Sequence, residues 1–167
     1  IEQTLKSVLD QNYKNLEYIV LDGASTDGTK ELIEKYSDKL TFFESKEDKG
    51  QYYAIQEGFD MATGEVICYL NGDDILMPTT LNTLKVIFSK FNEVSWITGS
   101  PGFLDNENNY NCTRKGLFSF SRKDIKRGLH RFGLLGVIQQ ESTFYRKNLL
   151  EKVGGLDLSL KYACDFK

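Results

Sequence analysis

Segments with helical spacing alternate with short apolar runs over the first hundred residues, and this alternation restricts the folds open to the chain. In the first segment apolar residues recur every three or four positions, at Ile1, Leu5, Val8 and Leu9. The apolar runs between the helical segments are LEYIVLD, LTFFES, VICYL and SWITGS. VICYL is almost continuously apolar, as expected of a strand buried on both faces. The pattern predicts an α/β fold with three layers and a mostly parallel sheet.

The alternation loosens after residue 100. PGFLDNENNYN is typical of a loop or hairpin, and Ser121 with Asp124 predicts a capping box for a short basic helix. QQESTFYRK is expected to form a strand, and NLLEKVGGLD a helix closed by glycines. A chain of 167 residues, 40% of them hydrophobic, suits one domain, which we expect to span 1–167.

Charge and cysteine content narrow the function classes. Twenty-one Lys and Arg against 24 Asp and Glu leave a net charge of -3, so no global positive field favours a nucleic acid partner. No apolar segment approaches the about 20 residues that a membrane span needs. The cysteines show no CxxC spacing, which favours a reducing compartment; they are Cys68, Cys112 and Cys164.

Acidic side chains follow two of the predicted strands. Asp22 ends LEYIVLD, and Asp73 and Asp74 follow VICYL within the stretch NGDD. Ligands of open α/β sheets bind at the carboxyl ends of strands. Two adjacent carboxylates repel each other, and Mg²⁺ or Mn²⁺ is typically held by one or two carboxylates together with substrate phosphates. The alternatives are a turn or helix cap for Asp22 and a solvated turn for the pair.

Other phosphate-binding motifs are absent from the sequence. Neither GxGxxG after a strand nor GxxxxGK[ST] occurs, so dinucleotide and P-loop binding have no support. The stretch DGASTDGT invites comparison with phosphotransferases of the haloacid dehalogenase type, with Asp27 in their Asp-Gly-Thr motif. Ser25 stands where those enzymes place a nucleophilic aspartate. The comparison therefore fails at this position.

Three longer stretches together resemble family 2 glycosyltransferases, whose nucleotide-diphospho-sugar transferase fold is called GT-A. They are LKSVLDQNYKNLEYIVLDGASTDGT, DKGQYYAIQEGFDMATGEVICYLNGDD and QQESTFYRKNLLEKVGGLDLSLKYACDF. The resemblance implies an inverting, metal-dependent transferase that moves a sugar from a nucleotide-diphosphate donor to an acceptor hydroxyl. In that family a strand precedes the first helix and a tail follows the acidic motif, so we expect both to be missing from this stretch of chain.

The resemblance assigns the donor side to the first half of the chain, 1–100. Asp22 matches the aspartate that hydrogen-bonds the nucleobase of the donor. The donor that the resemblance implies is a sugar linked to UDP or a similar nucleotide. Lys49 and Gln51 match a loop beside the donor. NGDD matches the metal-binding motif, with Asp74 as the principal ligand of Mg²⁺ or Mn²⁺ and Asp73 near the ribose or the metal.

Two positions in the first half of the chain depart from the family pattern. Asn71 stands where many members have the first Asp of the metal motif, and Tyr53 replaces an Asp that is frequent in relatives.

The resemblance assigns the acceptor side to the second half of the chain, 101–167. Gln140 and Glu141 match acceptor-side positions, and Asp165 in YACDF matches the general base of inverting members. An acceptor hydroxyl must lose its proton as it attacks, and a carboxylate can take it.

Partners and location follow from the resemblance alone. It implies a sugar or lipid-linked glycan acceptor, as in surface polysaccharide or lipopolysaccharide synthesis. The location it implies is the cytoplasm or the inner face of the membrane. The basic stretch at 122–131 is a weak indication of peripheral contact with anionic lipid, because such faces are more often simply solvated. A catalytically silent sugar-nucleotide binding module is the remaining alternative.

Overall fold

The computed structural model describes residues 1–99, 102–105, 107, 109–112, 121–130 and 138–160. The helices within these residues are α1 Glu2–Leu9, α2 Thr29–Glu34, α3 Gln51–Met61, α4 Thr80–Lys90, α5 Arg122–Lys126 and α6 Lys147–Val153. The strands are β1 Ile19–Asp22, β2 Phe42–Ser45, β3 Val66–Ile67, β4 Trp96–Thr98, β5 Gly102–Leu104, β6 Tyr110–Cys112 and β7 Thr143–Arg146. Single 3₁₀ turns cover Ser37–Lys39 and Gln140–Ser142.

The predicted alternation of helices and strands is confirmed. Each of the four apolar runs contains one strand, β1 to β4, and a helix precedes each of them. β3 is shorter than expected, because regular pairing stops at Ile67 although the apolar run continues through residues 68–70. The described residues at 102–112 include the antiparallel pair β5 and β6, as the hairpin alternative predicted, and the Asp105 carboxylate between them accepts backbone hydrogen bonds from Glu107 and Asn109.

Two residues predicted to end helices in the second half of the chain do so. Ser121 is the N-cap of α5: its Oγ accepts the backbone N–H of Asp124 at 3.1 Å, and its hydroxyl donates to the Asp124 carboxylate at 2.6 Å. Gly154 ends α6 with a φ of 79°, a left-handed conformation that glycine adopts without steric cost. None of the helices among the described residues is long and apolar enough to cross a bilayer.

The strands pair in two directions. β1 and β2 are parallel, with Ile19 opposite Phe42 and Asp22 opposite Ser45. β7 lies between β3 and β4 and is antiparallel to both, so β3 and β4 run in the same direction. The α/β class is thus confirmed. Where we expected a mostly parallel sheet, β1–β2 is the parallel pair among the described strands, whereas β7 is antiparallel to both of its neighbours and β5 is antiparallel to β6. β7 comes from the second half of the chain, so the two halves share one sheet.

The core forms where α1, α4 and β7 meet. Its buried members are Val8, Leu76, Leu84, Phe88 and Phe144. Full burial of a side chain of this size contributes about 1.5–3 kcal/mol. Cys68 packs against this cluster, and burial raises the pKa of its thiol to about 12, so it remains protonated and behaves as a small apolar side chain.

Arg146 joins the end of β7 to the end of α4. Its side chain is only 11% exposed, and its guanidinium lies 5.1 Å from the centre of the Phe88 ring. Nε donates to the Val94 carbonyl at 2.9 Å and Nη2 to the Phe88 carbonyl at 2.8 Å, while Nη1 pairs with Glu65. The planar guanidinium thus serves three acceptors at once, which a lysine ammonium cannot reproduce at these positions.

We predict that Arg146→Lys lowers the free energy of unfolding by about 2 kcal/mol, because buried hydrogen bonds from a charged donor are lost. Urea denaturation measures the change. Arg122→Lys, the same substitution on the exposed face of α5, is the control and should stay within about 0.5 kcal/mol of the parent. Equal stability of the two variants would contradict a bridging role for Arg146.

Candidate functional site

A cleft of about 460 Å³ runs along β1, on the side away from β2. Across the cleft from β1 lies the segment that follows β3, and no described strand pairs with β1 on this side. The volume is in the range of small-ligand sites. The polar and charged lining residues are Thr4, Asp22, Ser25, Thr29 and Asp73. The structure therefore brings together acidic residues that are about fifty positions apart in the sequence.

Asp22 is held by two serines at the end of β1. Oδ1 accepts the Ser25 hydroxyl at 2.5 Å, and Oδ2 accepts the Ser45 hydroxyl at 2.6 Å and the Ser25 backbone N–H at 3.0 Å. Ser45 can reach Asp22 because the parallel register of β1 and β2 places the two residues opposite each other. Each carboxylate oxygen has two acceptor positions, so Oδ1 can still accept a hydrogen bond from a ligand.

The hydrogen bonds of Asp22 also set its ionisation. Burial raises the pKa of the carboxyl, but the hydrogen bonds from Ser25 and Ser45 and the charge of Lys30 outweigh burial, and the pKa lies below its ordinary value of 3.8. Asp22 is therefore a fixed, ionised acceptor at neutral pH.

The NGDD stretch forms a turn at 71–74, where the chain leaves the apolar run after β3. The Asp74 backbone N–H donates to the Asn71 carbonyl at 3.1 Å, and Asn71 Nδ2 donates to Asp74 Oδ2 at 3.0 Å. Gln51, at the start of α3, donates through Nε2 to Asn71 Oδ1 at 2.6 Å. The predicted donor-loop residue Gln51 thus reaches the predicted metal motif through Asn71.

Asp73 and Asp74 differ in environment. Asp73 is exposed and lines the cleft, whereas Asp74 is partly buried. Burial raises the pKa of the Asp74 carboxyl; the Asn71 hydrogen bond lowers it, and the charge of Asp73 raises it further. An adjacent cation would remove both of the unfavourable contributions.

The residues of this turn fit a sparse divalent-cation site. Oδ1 of Asp74 accepts no hydrogen bond from the described residues, and a hard carboxylate oxygen suits Mg²⁺ or Mn²⁺. Over the same residues no group of three or more His, Cys, Asp or Glu side chains converges as a metal site. Two carboxylates are the number expected where substrate phosphates supply the other ligands.

Three polar side chains, Thr4 and Ser7 on α1 and Gln11 in the turn that follows it, hold the loop that contains the NGDD turn. Thr4 Oγ1 donates to the Gly72 carbonyl at 2.8 Å, and Ser7 Oγ accepts the Leu76 N–H at 3.1 Å. Gln11 Nε2 donates to the Met77 carbonyl at 3.0 Å. Thr4 and Ser7 are three residues apart and lie on one face of α1. Gln11 reaches the same loop from beyond the end of the helix. The loop is therefore tied to α1 along its length.

Other predicted residues stand at the edges of this arrangement. Lys49 is exposed and lies over the Tyr53 ring, 5.9 Å from its centre. Asp27 is exposed and accepts the Thr29 N–H at the start of α2, as a turn residue does, so its contacts give no support to the phosphotransferase alternative. Asp165 lies outside the described residues.

Gln140 and Glu141 lie in the 3₁₀ turn before β7. No described contact joins them to Asp22 or Asp73. The turn is tied to the carboxyl end of β4, since the Gly99 N–H donates to the Ser142 carbonyl at 2.8 Å. Because β3 and β4 run in the same direction, this turn and NGDD lie at the same edge of the three-stranded sheet. The Gln140 side-chain oxygen is buried and has no hydrogen-bond partner within the described residues.

Sequence reasoning missed the residues that hold the acidic groups. The sequence analysis did not single out Ser25 and Ser45 as partners of Asp22. It did not single out the residues that hold the loop either, which are Thr4, Ser7 and Gln11. Ser45 is the last residue of a predicted strand, so its position at the same sheet edge as Asp22 was the available signal.

Comparisons with known proteins identify a matching family. A family model described as Glycosyl transferase family 2 matches residues 1–154. A Campylobacter jejuni protein named GalNAc(5)-diNAcBac-PP-undecaprenol beta-1,3-glucosyltransferase is 35% identical over 88 residues, which are 50% of this chain and 28% of that protein. The chain spans 24% to 60% of the length of the curated relatives that it matches.

Solved structures establish the GT-A fold. S. aureus TarS 1-349 in complex with UDP matches with a TM-score of 0.72 at 20% identity, over 99% of this chain and 48% of that one. PcManGT from Pyrobaculum calidifontis, in complex with GDP-Man and Mn²⁺, matches with a TM-score of 0.62 at 23% identity, over 94% of this chain and 43% of that one. The fold expected from the sequence is thus confirmed.

We predict that Ser45→Ala raises the pKa of Asp22 toward 3.8, because one of the hydrogen bonds that favour the carboxylate is removed. NMR titration of the Asp22 carboxyl carbon measures the shift. A depressed folded-state pKa stabilises the fold above the unfolded-state pKa, and this contribution is lost as the pH falls through the folded-state value. The stability difference from the parent should therefore be full near pH 7 and shrink below about pH 4.

Ser89→Ala, on the exposed face of α4, is the matched control and should leave the titration of Asp22 unchanged. An unaltered pKa in the Ser45 variant would contradict the role of Ser45 in holding the carboxylate.

Proposed function

The chain belongs to glycosyltransferase family 2, and on that premise we propose that it transfers a sugar, with inversion, from a nucleoside-diphosphate donor to an acceptor hydroxyl. The observation that carries the proposal is the shared cleft. Asp22 and Asp73, from the carboxyl ends of two strand segments, line one cavity of about 460 Å³. A nucleotide could lie there with its base at one acidic group and its diphosphate near the other.

The donor assignment rests on the state of Asp22. An ionised carboxylate with spare acceptor capacity on Oδ1 suits the N–H of a uracil or similar base. TarS has been solved with UDP and with UDP-GlcNAc, and PcManGT with GDP-Man. These complexes support a sugar nucleotide, UDP-linked or similar, as the donor here. We propose that Lys49 and Gln51 also lie beside the donor; Gln51 is the first residue of α3.

The proposed metal residues are Asp74 and Asp73. Mg²⁺ or Mn²⁺ bound there would act as a Lewis acid that stabilises the negative charge of the departing diphosphate. The Mn²⁺ in the PcManGT complex supports this choice of ion. The chain's own contribution is to hold Asp74 in the turn through Asn71 and to hold the turn against α1.

The proposed general base is Asp165, by its match to the family motif. The acceptor oxygen bonds to the anomeric carbon on the face opposite the diphosphate, its proton passes to the Asp165 carboxylate, and the bond from the anomeric carbon to the diphosphate oxygen breaks. Gln140 and Glu141 are proposed to contact the acceptor. Their turn lies at the same sheet edge as NGDD, which supports an acceptor side there.

We further propose the domain division of the sequence analysis, with a donor half at 1–100 and an acceptor half at 101–167.

The acceptor and the biological setting are proposals from relatives. The Campylobacter jejuni relative is named after an undecaprenol-linked glycan. We propose a lipid-linked or other surface glycan as the acceptor, in polysaccharide synthesis at the cytoplasmic face of the membrane, with the basic helix α5 as the contact to lipid.

The decisive experiment incubates the full-length protein with a panel of nucleotide sugars and Mn²⁺, and measures release of the nucleoside diphosphate. We predict that Asp74→Asn reduces this release by about 100-fold or more, because the cation loses its principal ligand. Asp38→Asn, in the exposed turn Ser37–Lys39, is the control and should retain parental activity. Full activity of the Asp74 variant would refute the metal assignment.

The same assay separates the alternatives. A silent binding module would show a higher melting temperature with UDP and no release of UDP from any donor. A phosphotransferase would hydrolyse p-nitrophenyl phosphate, which the glycosyltransferase should leave intact.

We predict that Asp165→Asn lowers kcat for transfer by about 10²–10⁴-fold while the Kd for UDP stays unchanged, because only proton removal from the acceptor is lost. Asp22→Asn should instead weaken donor binding, so that the donor KM rises with little change in kcat. Steady-state kinetics and calorimetry with UDP measure the two effects. A parental kcat in the Asp165→Asn variant would contradict the role of Asp165 as general base.

A further inference from the structure

The turn at 71–74 is closed by two hydrogen bonds between the same pair of residues. One runs through the backbone, from the Asp74 N–H to the Asn71 carbonyl, and the other runs from the Asn71 side-chain amide to Asp74 Oδ2. The backbone bond sets the separation of the two residues, and the amide bond then restricts rotation of the carboxylate. The orientation of Asp74 therefore depends on the orientation of the Asn71 amide.

Gln51 fixes the orientation of that amide. Its Nε2 donates to Asn71 Oδ1 at 2.6 Å, a contact between α3 and the turn across 20 residues of sequence. A primary amide has one acceptor end and one donor end. With the acceptor end of Asn71 bound to Gln51, the donor end is directed to Asp74. The three side chains thus form one chain of hydrogen bonds with a single direction.

The type of residue at position 71 matters for charge. An aspartate there would place a third carboxylate beside Asp73 and Asp74, whereas the asparagine adds a hydrogen-bond donor without charge. Asp74 Oδ2 is the oxygen that accepts this donor, and Oδ1 accepts none from the described residues.

We propose that Asn71 and Gln51 are positioning residues for cation binding: Gln51 orients the Asn71 amide, which engages Asp74 Oδ2 and leaves Oδ1 available to a divalent cation. This inference rests on the proposed function, because it assumes that Asp74 binds the metal. It assigns to Asn71 a role other than that of a ligand, and to Gln51 a role that does not require contact with the donor.

Gln51→Glu tests the proposal because two physical effects oppose each other in it. The added negative charge alone would strengthen binding of a cation. A carboxylate cannot donate to Asn71 Oδ1, however, so the Asn71 amide loses its partner or reverses and turns its oxygen toward Asp74. Loss of the hydrogen-bond chain would weaken binding of the cation. The sign of the change therefore separates positioning from simple electrostatics.

The measurement is a titration of Mn²⁺ into the full-length protein with saturating UDP, with free Mn²⁺ followed by electron paramagnetic resonance. We predict about a 10-fold weaker Kd for Mn²⁺ in Gln51→Glu and in Asn71→Ala, as is usual when a residue that orients a metal ligand is lost. Gln3→Glu adds the same charge on the exposed face of α1 and should leave the Kd unchanged. Urea denaturation of each variant verifies that it is folded.

Each outcome decides one point. Equal or tighter Mn²⁺ binding in Gln51→Glu, with weaker binding in Asp74→Asn, would overturn the positioning role and leave the proposed function intact. Parental Mn²⁺ binding in Asp74→Asn, or no Mn²⁺ binding by the parent protein, would overturn the metal assignment and the positioning role together.

Discussion

The hydrogen bonds between α1 and the loop after β3 are the constraint on which the candidate site depends. That loop, at 71–79, has no regular secondary structure, so its backbone groups need partners from elsewhere. Thr4, Ser7 and Gln11 provide them at successive points along the loop. Each such bond contributes about 0.5–1.5 kcal/mol net, and a buried group left unpaired costs more than the bond gains. The carboxylates of the turn are placed by α1 as much as by the strand before them.

The two acidic centres of the cleft are prepared for different partners. Asp22 has its charge stabilised by protein hydrogen bonds, so it needs no counterion and can act as a hydrogen-bond acceptor. Asp74 receives a single side-chain hydrogen bond from the described residues and stands beside another carboxylate. Its charge is therefore only partly compensated within the protein. A base and a cation-bound diphosphate are ligands that match these two states.

Much of the fold could be predicted from the sequence, because apolar periodicity reports local structure directly. The strands β1 to β4, the hairpin and the N-cap of α5 all follow from short-range patterns. The partners of the site residues could not be predicted in this way. Ser45 meets Asp22 only through the register of two strands, and Gln51 meets Asn71 only through the packing of α3 on the turn. The antiparallel insertion of β7 between β3 and β4 is likewise a choice of tertiary pairing that no local signal reveals.

The position of β7 has a consequence for how the donor and acceptor sides are related. β7 belongs to the second half of the chain, yet it pairs with two strands of the first half. Its first residue, Thr143, follows the turn that holds Gln140, and its last, Arg146, is anchored to the end of α4. The turn before β7 and the turn after the β3 segment are therefore connected through one hydrogen-bonded sheet, and not through a flexible linker. On the proposed function, the distance between acceptor and metal is set by strand register, which changes in whole residues and not by gradual domain movement.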